Sequence, residues 1–86
     1  MQVLIPSPLR SYTQEENEVA AEGDSLAELL QNLEQNYPGI RFRMIDEQDR
    51  IRQHIKIYVD KVLAERLAYP LQGSKLVQIV CALSGG

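Results

Sequence analysis

Residues 23–39 read GDSLAELLQNLEQNYPG and carry the strongest secondary-structure signal in the chain. Ser25 and Glu28 have the spacing of a capping box, in which each side chain satisfies a backbone N–H of the first helical turn. Apolar residues then recur at helical spacing, at Leu26, Leu29, Leu30, Leu33 and Tyr37. Because Pro38 disfavours helical backbone at the residue before it, the helix should end near Tyr37. The pattern predicts one amphipathic helix that packs by one face against a sheet.

The residues before this helix predict two short strands that pair as a hairpin. Residues 3–5 are Val, Leu and Ile, and the run stops at Pro6 because proline has no N–H to donate to a sheet. A short apolar run of this kind predicts a fully buried strand. After the polar stretch 11–17, residues 19–21 are apolar again and precede Gly23, which predicts the antiparallel partner.

The residues after the helix predict two longer strands. In residues 55–60 apolar and polar side chains alternate, so one face of that strand should lie on the core. Residues 76–81 predict the last strand, with Val77 and Ile79 pointing inward by the same alternation.

Two connecting segments complete the predicted domain. Residues 40–52 mix apolar and charged side chains without a clear period, which predicts an irregular or short helical connection. Residues 61–71 predict a second connection, with Leu63 and Leu67 as apolar anchors.

The order of two strands, a helix and two further strands predicts an α+β roll. We expect a mixed sheet of four to five strands with one main helix packed on one face, formed by residues 1–81. If the first and last strands lie side by side, they must be parallel. Residues 82–86 then form a flexible C-terminal tail that ends in Gly-Gly.

Composition and charge exclude several classes of function. The chain has 86 residues, of which 44% are hydrophobic, and this fits one compact domain. A net charge of −3 opposes binding to the phosphates of nucleic acids. No long apolar run follows a basic segment, so we expect no signal peptide or membrane contact and place the chain in the cytoplasm. With one cysteine and one histidine, neither a disulfide nor the usual zinc site can form, and we expect no bound metal or cofactor.

Five segments have a pattern that extends over the whole chain. They are IPSPLR at 5–10, GDSLAELL at 23–30, YPG at 37–39, IKIYVD at 55–60 and LSGG at 83–86. Together they resemble the MoaD/ThiS family of ubiquitin-like sulfur carriers, which have the β-grasp fold. The first segment is most similar to the branch that contains the CysO- and QbsE-type carriers.

Three positions depart from the family pattern. The family commonly has asparagine where this chain has Asp60, a more acidic turn where it has residues 72–74, and often proline where it has Cys81. Each difference could alter the choice of partner, and none removes the terminal glycines.

The resemblance implies that the chain is a sulfur carrier and not an enzyme, with its reactive group at Gly86 after Gly85. An E1-like enzyme of the MoeB/ThiF type would use ATP and Mg²⁺ to adenylate Gly86, and sulfur from a persulfide donor would then displace AMP to give a thiocarboxylate. A sulfur-accepting synthase would follow, in a molybdopterin, thiamin, cysteine or thio-siderophore pathway, among which the sequence does not choose. A processing peptidase is a further partner if the encoded chain continues past Gly86.

The ending suits this chemistry. An extended tail over 82–86 reaches about 17 Å beyond the last strand. Glycine has no Cβ, so Gly85 and Gly86 can enter a channel too narrow for other residues. A free α-carboxylate has a pKa of about 3.5 and resists nucleophiles at neutral pH, so it requires activation.

The partner surface implied by the resemblance is the outer face of the sheet near the tail. By alternation, this face should present an apolar patch of Tyr58, Val80 and Leu83, with Ser84 beside it in the tail.

Two other functions stay open. The first is a protein modifier, whose Gly86 forms isopeptide bonds with lysines of other proteins. The second is a structural subunit with an inert ending. A separate hypothesis is catalysis by this chain, with Cys81 as nucleophile and His54 as base on neighbouring strands. Nothing in the sequence orients the histidine for that role.

Clusters of charged residues more often form solvated surfaces than metal-binding or partner-binding sites. One acidic cluster matches no calcium loop and comprises Glu15, Glu16, Glu18, Glu22 and Asp24. Four arginines are either solvated or paired with acidic partners: Arg41, Arg43, Arg50 and Arg52.

Overall fold

The computed structural model describes residues 1–82, and its main helix begins where the capping residues predict. Helix α1 covers Leu26–Asn36. The Ser25 hydroxyl accepts a hydrogen bond from the Glu28 N–H at 3.2 Å, and the Glu28 carboxylate accepts one from the Asp24 N–H at 2.7 Å. The capping box is confirmed, with the carboxylate reaching one residue further back than in the usual pattern. Four leucines of the predicted apolar face are fully buried: Leu26, Leu29, Leu30 and Leu33.

Five strands form one mixed sheet, which confirms the predicted α+β, β-grasp architecture. The strands are β1 Gln2–Leu4, β2 Glu18–Ala20, β3 Ile55–Val59, β4 Val62–Ala64 and β5 Leu76–Cys81. Their order across the sheet is β2-β1-β5-β3-β4. The pair β1 and β5 is parallel, and the other neighbouring pairs are antiparallel. The last strand therefore lies in the middle of the sheet, beside the first.

A hydrophobic core fills the space between the sheet and its helices. A short helix, α2, covers Ile40–Met44 and lies in the segment predicted as an irregular or short helical connection. On β5 the predicted inward pair, Val77 and Ile79, is buried. Within residues 1–82, no helix has the length and apolar character needed to cross a bilayer.

Strand β4 lies within residues 61–71, so the prediction that this whole segment is a connection is wrong at its start. Asp60 and Lys61 have positive φ values of 47° and 73° and form the two-residue turn that joins β3 to β4. Turns of this kind usually contain Asn-Gly or Asp-Gly, so Asp-Lys left no clear signal in the sequence. Leu63 lies opposite Tyr58 and is 38% exposed, so it does not anchor a connection in the core.

The pairing of β1 with β2 is confirmed, but a 3₁₀ helix over Ser7–Thr13 connects the two strands. The Thr13 hydroxyl lies 3.2 Å and 2.8 Å from the carbonyl oxygens of Arg10 and Glu16 and closes this segment. Leu4 is only half-buried, so β1 is not the fully buried strand that the sequence predicted. The reason is that the helices cover one face of the sheet, and Leu4 points to the other.

The side chain of Asp60 joins the β3–β4 turn to the start of β5. Its carboxylate accepts hydrogen bonds from the N–H groups of Lys75 at 3.1 Å and Leu76 at 3.0 Å. Asp60→Ala removes this acceptor and places alanine at positive φ, so urea denaturation should show a loss of about 1–2 kcal/mol in the free energy of unfolding. Asp60→Asn keeps an oxygen acceptor and tolerates the backbone, so we expect less than about half of that loss. Equal losses in the two variants would contradict this role.

Candidate functional site

The described chain leaves the sheet at the end of β5. Val77 and Gln78 of β5 pair with both β1 and β3, whereas the end of β5 pairs with β3 alone, and Cys81 lies opposite Ile55. The Ala82 N–H then donates a hydrogen bond to the His54 carbonyl at 2.7 Å. The predicted tail after residue 81 stays a prediction, because most of it lies outside the described residues. So do the predicted site residues Leu83, Ser84, Gly85 and Gly86.

The outer face of the sheet, on the side away from the helices, carries the other two residues of the predicted partner surface. Val80 lies opposite Lys56, and Gln78 lies opposite Tyr58. Val80 and Tyr58 therefore occupy neighbouring positions on the same face, and both are half-buried. The outer patch, as we define it, comprises Leu4, Tyr58, Leu63, Leu76 and Val80.

Sequence reasoning missed three members of this outer patch: Leu4, Leu63 and Leu76. The alternation along β5 also turns Leu76 outward, but Leu4 and Leu63 gave no local signal. Leu4 lies opposite Gln78, and Leu63 lies opposite Tyr58, so a row of four side chains crosses the sheet from β1 to β4. Leu4 was hidden within a short apolar run that shows no alternation, and Leu63 belongs to the strand that the sequence did not reveal. The signal that finds both is the register of neighbouring strands, which a single sequence does not contain.

A groove of about 420 Å³ lies beside the end of β5, where the 3₁₀ helix, α2 and the start of β3 meet. We call it the arginine groove. It is lined by Pro8, Leu9, Phe42, Arg43, Arg52, His54 and Cys81. These residues come from segments that are far apart in the sequence, so no local motif predicts the groove.

Two of the four arginines within residues 41–52 have carboxylate partners in the domain. The Arg41 guanidinium lies 3.4 Å from the Asp49 carboxylate, and Arg50 lies 3.7 Å from Asp46. Asp46 also accepts hydrogen bonds from backbone N–H groups of the following turn, which hold the pKa of its carboxyl below the usual value. These pairs are partly exposed and contribute little to stability on their own.

The other two arginines line the arginine groove. The Arg52 Nε donates a hydrogen bond to the Phe42 carbonyl at 2.8 Å, and its guanidinium lies 4.5 Å from the centre of the Phe42 ring. Among residues 1–82, no carboxylate lies within ion-pair distance of Arg43 or Arg52. The Phe42 side chain is 54% exposed. The arginine groove therefore combines two positive charges with an exposed aromatic ring.

Cys81 and His54 both line this groove, but the geometry does not support catalysis by them. No hydrogen bond joins their side chains in the part of the chain that the structure describes. Burial raises the pKa of the Cys81 thiol above its usual value, while the positive charge of Arg43 lowers it by a smaller amount. Such a thiol stays protonated near neutral pH and is a poor nucleophile.

The predicted acidic cluster is a solvated surface. All five of its members are exposed. Glu18 accepts a hydrogen bond from the Gln2 side chain at 2.7 Å, and the Glu22 carboxylate pairs with the amino group of Met1. None of these contacts resembles a calcium site.

The ThiS family profile matches residues 3–86 of the chain. The chain is also 34% identical over 89 residues to the sulfur carrier protein CysO of Mycobacterium tuberculosis, and the alignment covers 98% of this chain and 96% of that protein. The CysO protein of Mycobacterium bovis matches with the same identity and coverage.

Solved structures have the same fold. The crystal structure of Mycobacterium tuberculosis CysO, described as an antigen, has a TM-score of 0.88 at 31% identity and covers 95% of this chain and 98% of that one. The Amycolatopsis orientalis BexX/CysO complex contains a chain with a TM-score of 0.89 at 28% identity, covering 99% and 98%. SAMP1 of Haloferax volcanii, at 18% identity and a TM-score of 0.77, covers 100% and 98% and shares the fold alone.

Proposed function

Because the chain belongs to the ThiS family, we propose that it carries sulfur as a thiocarboxylate on Gly86. The prediction of a sulfur carrier is confirmed by the family match and by the similarity to CysO proteins over nearly the whole chain. The observation that carries the proposal to Gly86 is that the family match extends through residue 86. Carriers of this family are substrates of other enzymes, and we assign this chain no catalytic residue of its own.

The proposed chemistry has two steps at the Gly86 carboxyl group. An E1-like enzyme of the MoeB/ThiF type transfers AMP from ATP to the carboxylate with release of pyrophosphate, and Mg²⁺ stabilises the charge on the phosphates. A sulfide equivalent then attacks the carbonyl carbon, so that a C–S bond forms as the C–O bond to AMP breaks. One difficult substitution is thus replaced by two easier ones, and the partner supplies the catalytic groups.

The other proposed partners follow from this chemistry. A sulfur-accepting synthase takes the sulfur, and a processing peptidase acts first if the encoded chain continues past Gly86. Adenylation consumes ATP, and the cytoplasm supplies it. The BexX/CysO complex contains a related carrier with another protein, which supports a function through such partners.

The outer patch is our candidate surface for the adenylating enzyme, and Val80→Asp tests it. The new carboxylate lies opposite Lys56, which favours the folded state, but it places a charge in an apolar contact. We expect kcat/KM for adenylation to fall about 10-fold or more, with thermal unfolding little changed.

Ala20→Asp is the matched control, because Ala20 is an exposed residue of the outer face at the edge strand β2. It adds the same charge away from Val80 and should leave adenylation within about twofold of the wild-type rate. Unchanged adenylation by Val80→Asp rules the outer patch out as this contact.

Intact-mass spectrometry tests the proposed function. The purified chain is incubated with ATP, Mg²⁺, a related adenylating enzyme and a sulfide source, and a gain of about 16 Da marks replacement of one carboxyl oxygen by sulfur. If the mass stays unchanged while a CysO control is charged, the sulfur-carrier proposal fails. Conjugates of higher mass in cell lysate, joined through Gly86 to lysines, would favour the protein modifier instead.

A further inference from the structure

We propose that the arginine groove receives an acidic loop of the adenylating enzyme and anchors the end of β5 at the mouth of that enzyme's active site. This inference rests on the proposed function, because it names the part of the same partner that contacts the groove. It concerns a surface separate from the outer patch, which lies on the other face of the sheet.

The arginine groove has a positive charge that the rest of the domain does not neutralise by close ion pairs. Arg41 and Arg50 have carboxylate partners within the domain, but Arg43 and Arg52 have none among residues 1–82. The whole chain has a net charge of −3, whereas the groove lining contains two arginines and no carboxylate, so the local charge of the groove is opposite to the overall charge. Asp46 interacts with Arg52 only from beyond ion-pair distance, so a partner's carboxylates would provide the close ion pairs that residues 1–82 do not provide.

The side chains of the groove are already arranged for binding. One hydrogen bond and a stacking contact hold the Arg52 guanidinium against Phe42, and the Arg52 Nε is the only atom of that guanidinium with a hydrogen bond to the described residues. The remaining N–H groups have no acceptor among residues 1–82 and can donate to an incoming carboxylate. A side chain that is already ordered loses less conformational entropy when a partner binds.

The groove lies beside the point where the described chain leaves β5. Cys81 is the last residue of β5 and lines the groove, so an enzyme that takes up the following residues must pass close to it. The burial that raises the pKa of this thiol also keeps the groove free of a negatively charged thiolate near neutral pH.

The composition of the lining favours a protein loop over a small anion. Phe42, Pro8 and Leu9 give the groove an apolar part beside its two arginines. A loop that carries both carboxylates and apolar side chains covers both parts, whereas a free phosphate leaves the aromatic ring exposed. Among the partners, the adenylating enzyme already holds ATP beside the carboxylate of Gly86. ATP and the Gly86 carboxylate are both negatively charged and repel each other. Attraction between the groove arginines and an acidic loop of this enzyme would offset that repulsion, so the contact has its greatest effect on this partner.

The experiment compares two charge reversals at different ends of β5. Arg43→Glu changes the groove, and Lys75→Glu makes the same change in net charge just before β5 begins, where Lys75 is exposed. Adenylation by a related E1-like enzyme is measured by pyrophosphate release at about 50 mM and about 500 mM salt, since salt screens exposed charges. We expect Arg43→Glu to raise KM at least about 10-fold at low salt and about twofold at high salt, with kcat little changed. The KM of Lys75→Glu should stay within about twofold of the wild-type value. Arg43→Lys keeps the positive charge and should retain most of the wild-type affinity.

The outcomes separate this inference from the proposed function. If the wild-type chain is charged with sulfur but Arg43→Glu and Lys75→Glu behave alike, the groove assignment fails and the sulfur-carrier function stands. A defect confined to sulfur transfer after normal adenylation also overturns the assignment, because it places the acidic loop on another enzyme. Circular dichroism and thermal unfolding of both variants check that Arg43→Glu, which lies near the end of α2, remains folded.

Discussion

A chain that ends at Ser84 is expected to fold normally and to show no gain of about 16 Da when it is incubated with an adenylating enzyme, ATP, Mg²⁺ and a sulfide source. Its carboxylate would lie two residues short of the natural position, a distance of about 7 Å in an extended chain. It would also belong to a residue with a side chain, which a channel shaped for glycine excludes. We expect this loss to be the largest effect of any change in the chain.

Folding should be unaffected, because residues 1–82 contain all the strands and helices described for this domain. Ala82→Ser is a suitable control, since it alters an exposed residue and keeps both the length of the ending and its two glycines. The inert-subunit hypothesis makes the opposite prediction: the shortened chain and the control would then behave alike in every assay. Sulfur transfer to the shortened chain would also contradict the assignment of Gly86 as the carrier residue.

The parts of the fold that were predicted correctly are those with local signals. Ser25 and Glu28 begin α1 through hydrogen bonds between residues three and four positions apart, so the sequence alone identifies them. The alternation in β5 likewise predicted that Val77 and Ile79 would be buried, because alternate side chains of a strand point to opposite faces.

The parts that were missed depend on contacts between distant segments or on unusual turn residues. The turn at Asp60 and Lys61 has positive φ at both positions without a glycine, so it did not reveal β4. Asp60 is held there by hydrogen bonds from the backbone N–H groups of Lys75 and Leu76, residues that are distant in sequence. An oxygen acceptor is what this position requires, and asparagine, which the resemblance associates with the position, also supplies one.

The candidate site also has one part that local alternation predicted and another that depends on contacts between distant segments. Alternation placed Tyr58 and Val80 on one face, as the strand pairing confirms. The sequence did not predict the arginine groove, because Arg43 and Arg52 line one groove only after folding brings α2 and the residues before β3 together beside Cys81. The sequence showed a group of four arginines within residues 41–52, and only the fold separated the internally paired ones from those that line the groove.

The second large effect is expected on stability, from a single added methyl group at Gly23. A Cβ atom at this position would overlap the backbone nitrogen of Leu29 and lie 2.8 Å from the Leu29 Cα. The obstacle is the backbone of the first turn of α1, which cannot move aside as a flexible side chain can. Urea denaturation of Gly23→Ala should therefore show a loss of about 2–4 kcal/mol in the free energy of unfolding.

Gly73→Ala is the matched control, because the same methyl group meets no atom within 4 Å there. Gly73 has a φ of +79°, so alanine costs about 1 kcal/mol from backbone strain alone. A larger loss for Gly23→Ala separates the close approach of two backbone segments from a simple preference for glycine. Equal losses would mean that α1 shifts to accept the methyl group. Where Gly23→Ala is still folded, it should be charged with sulfur at a normal rate, since Gly23 lies in neither the outer patch nor the arginine groove.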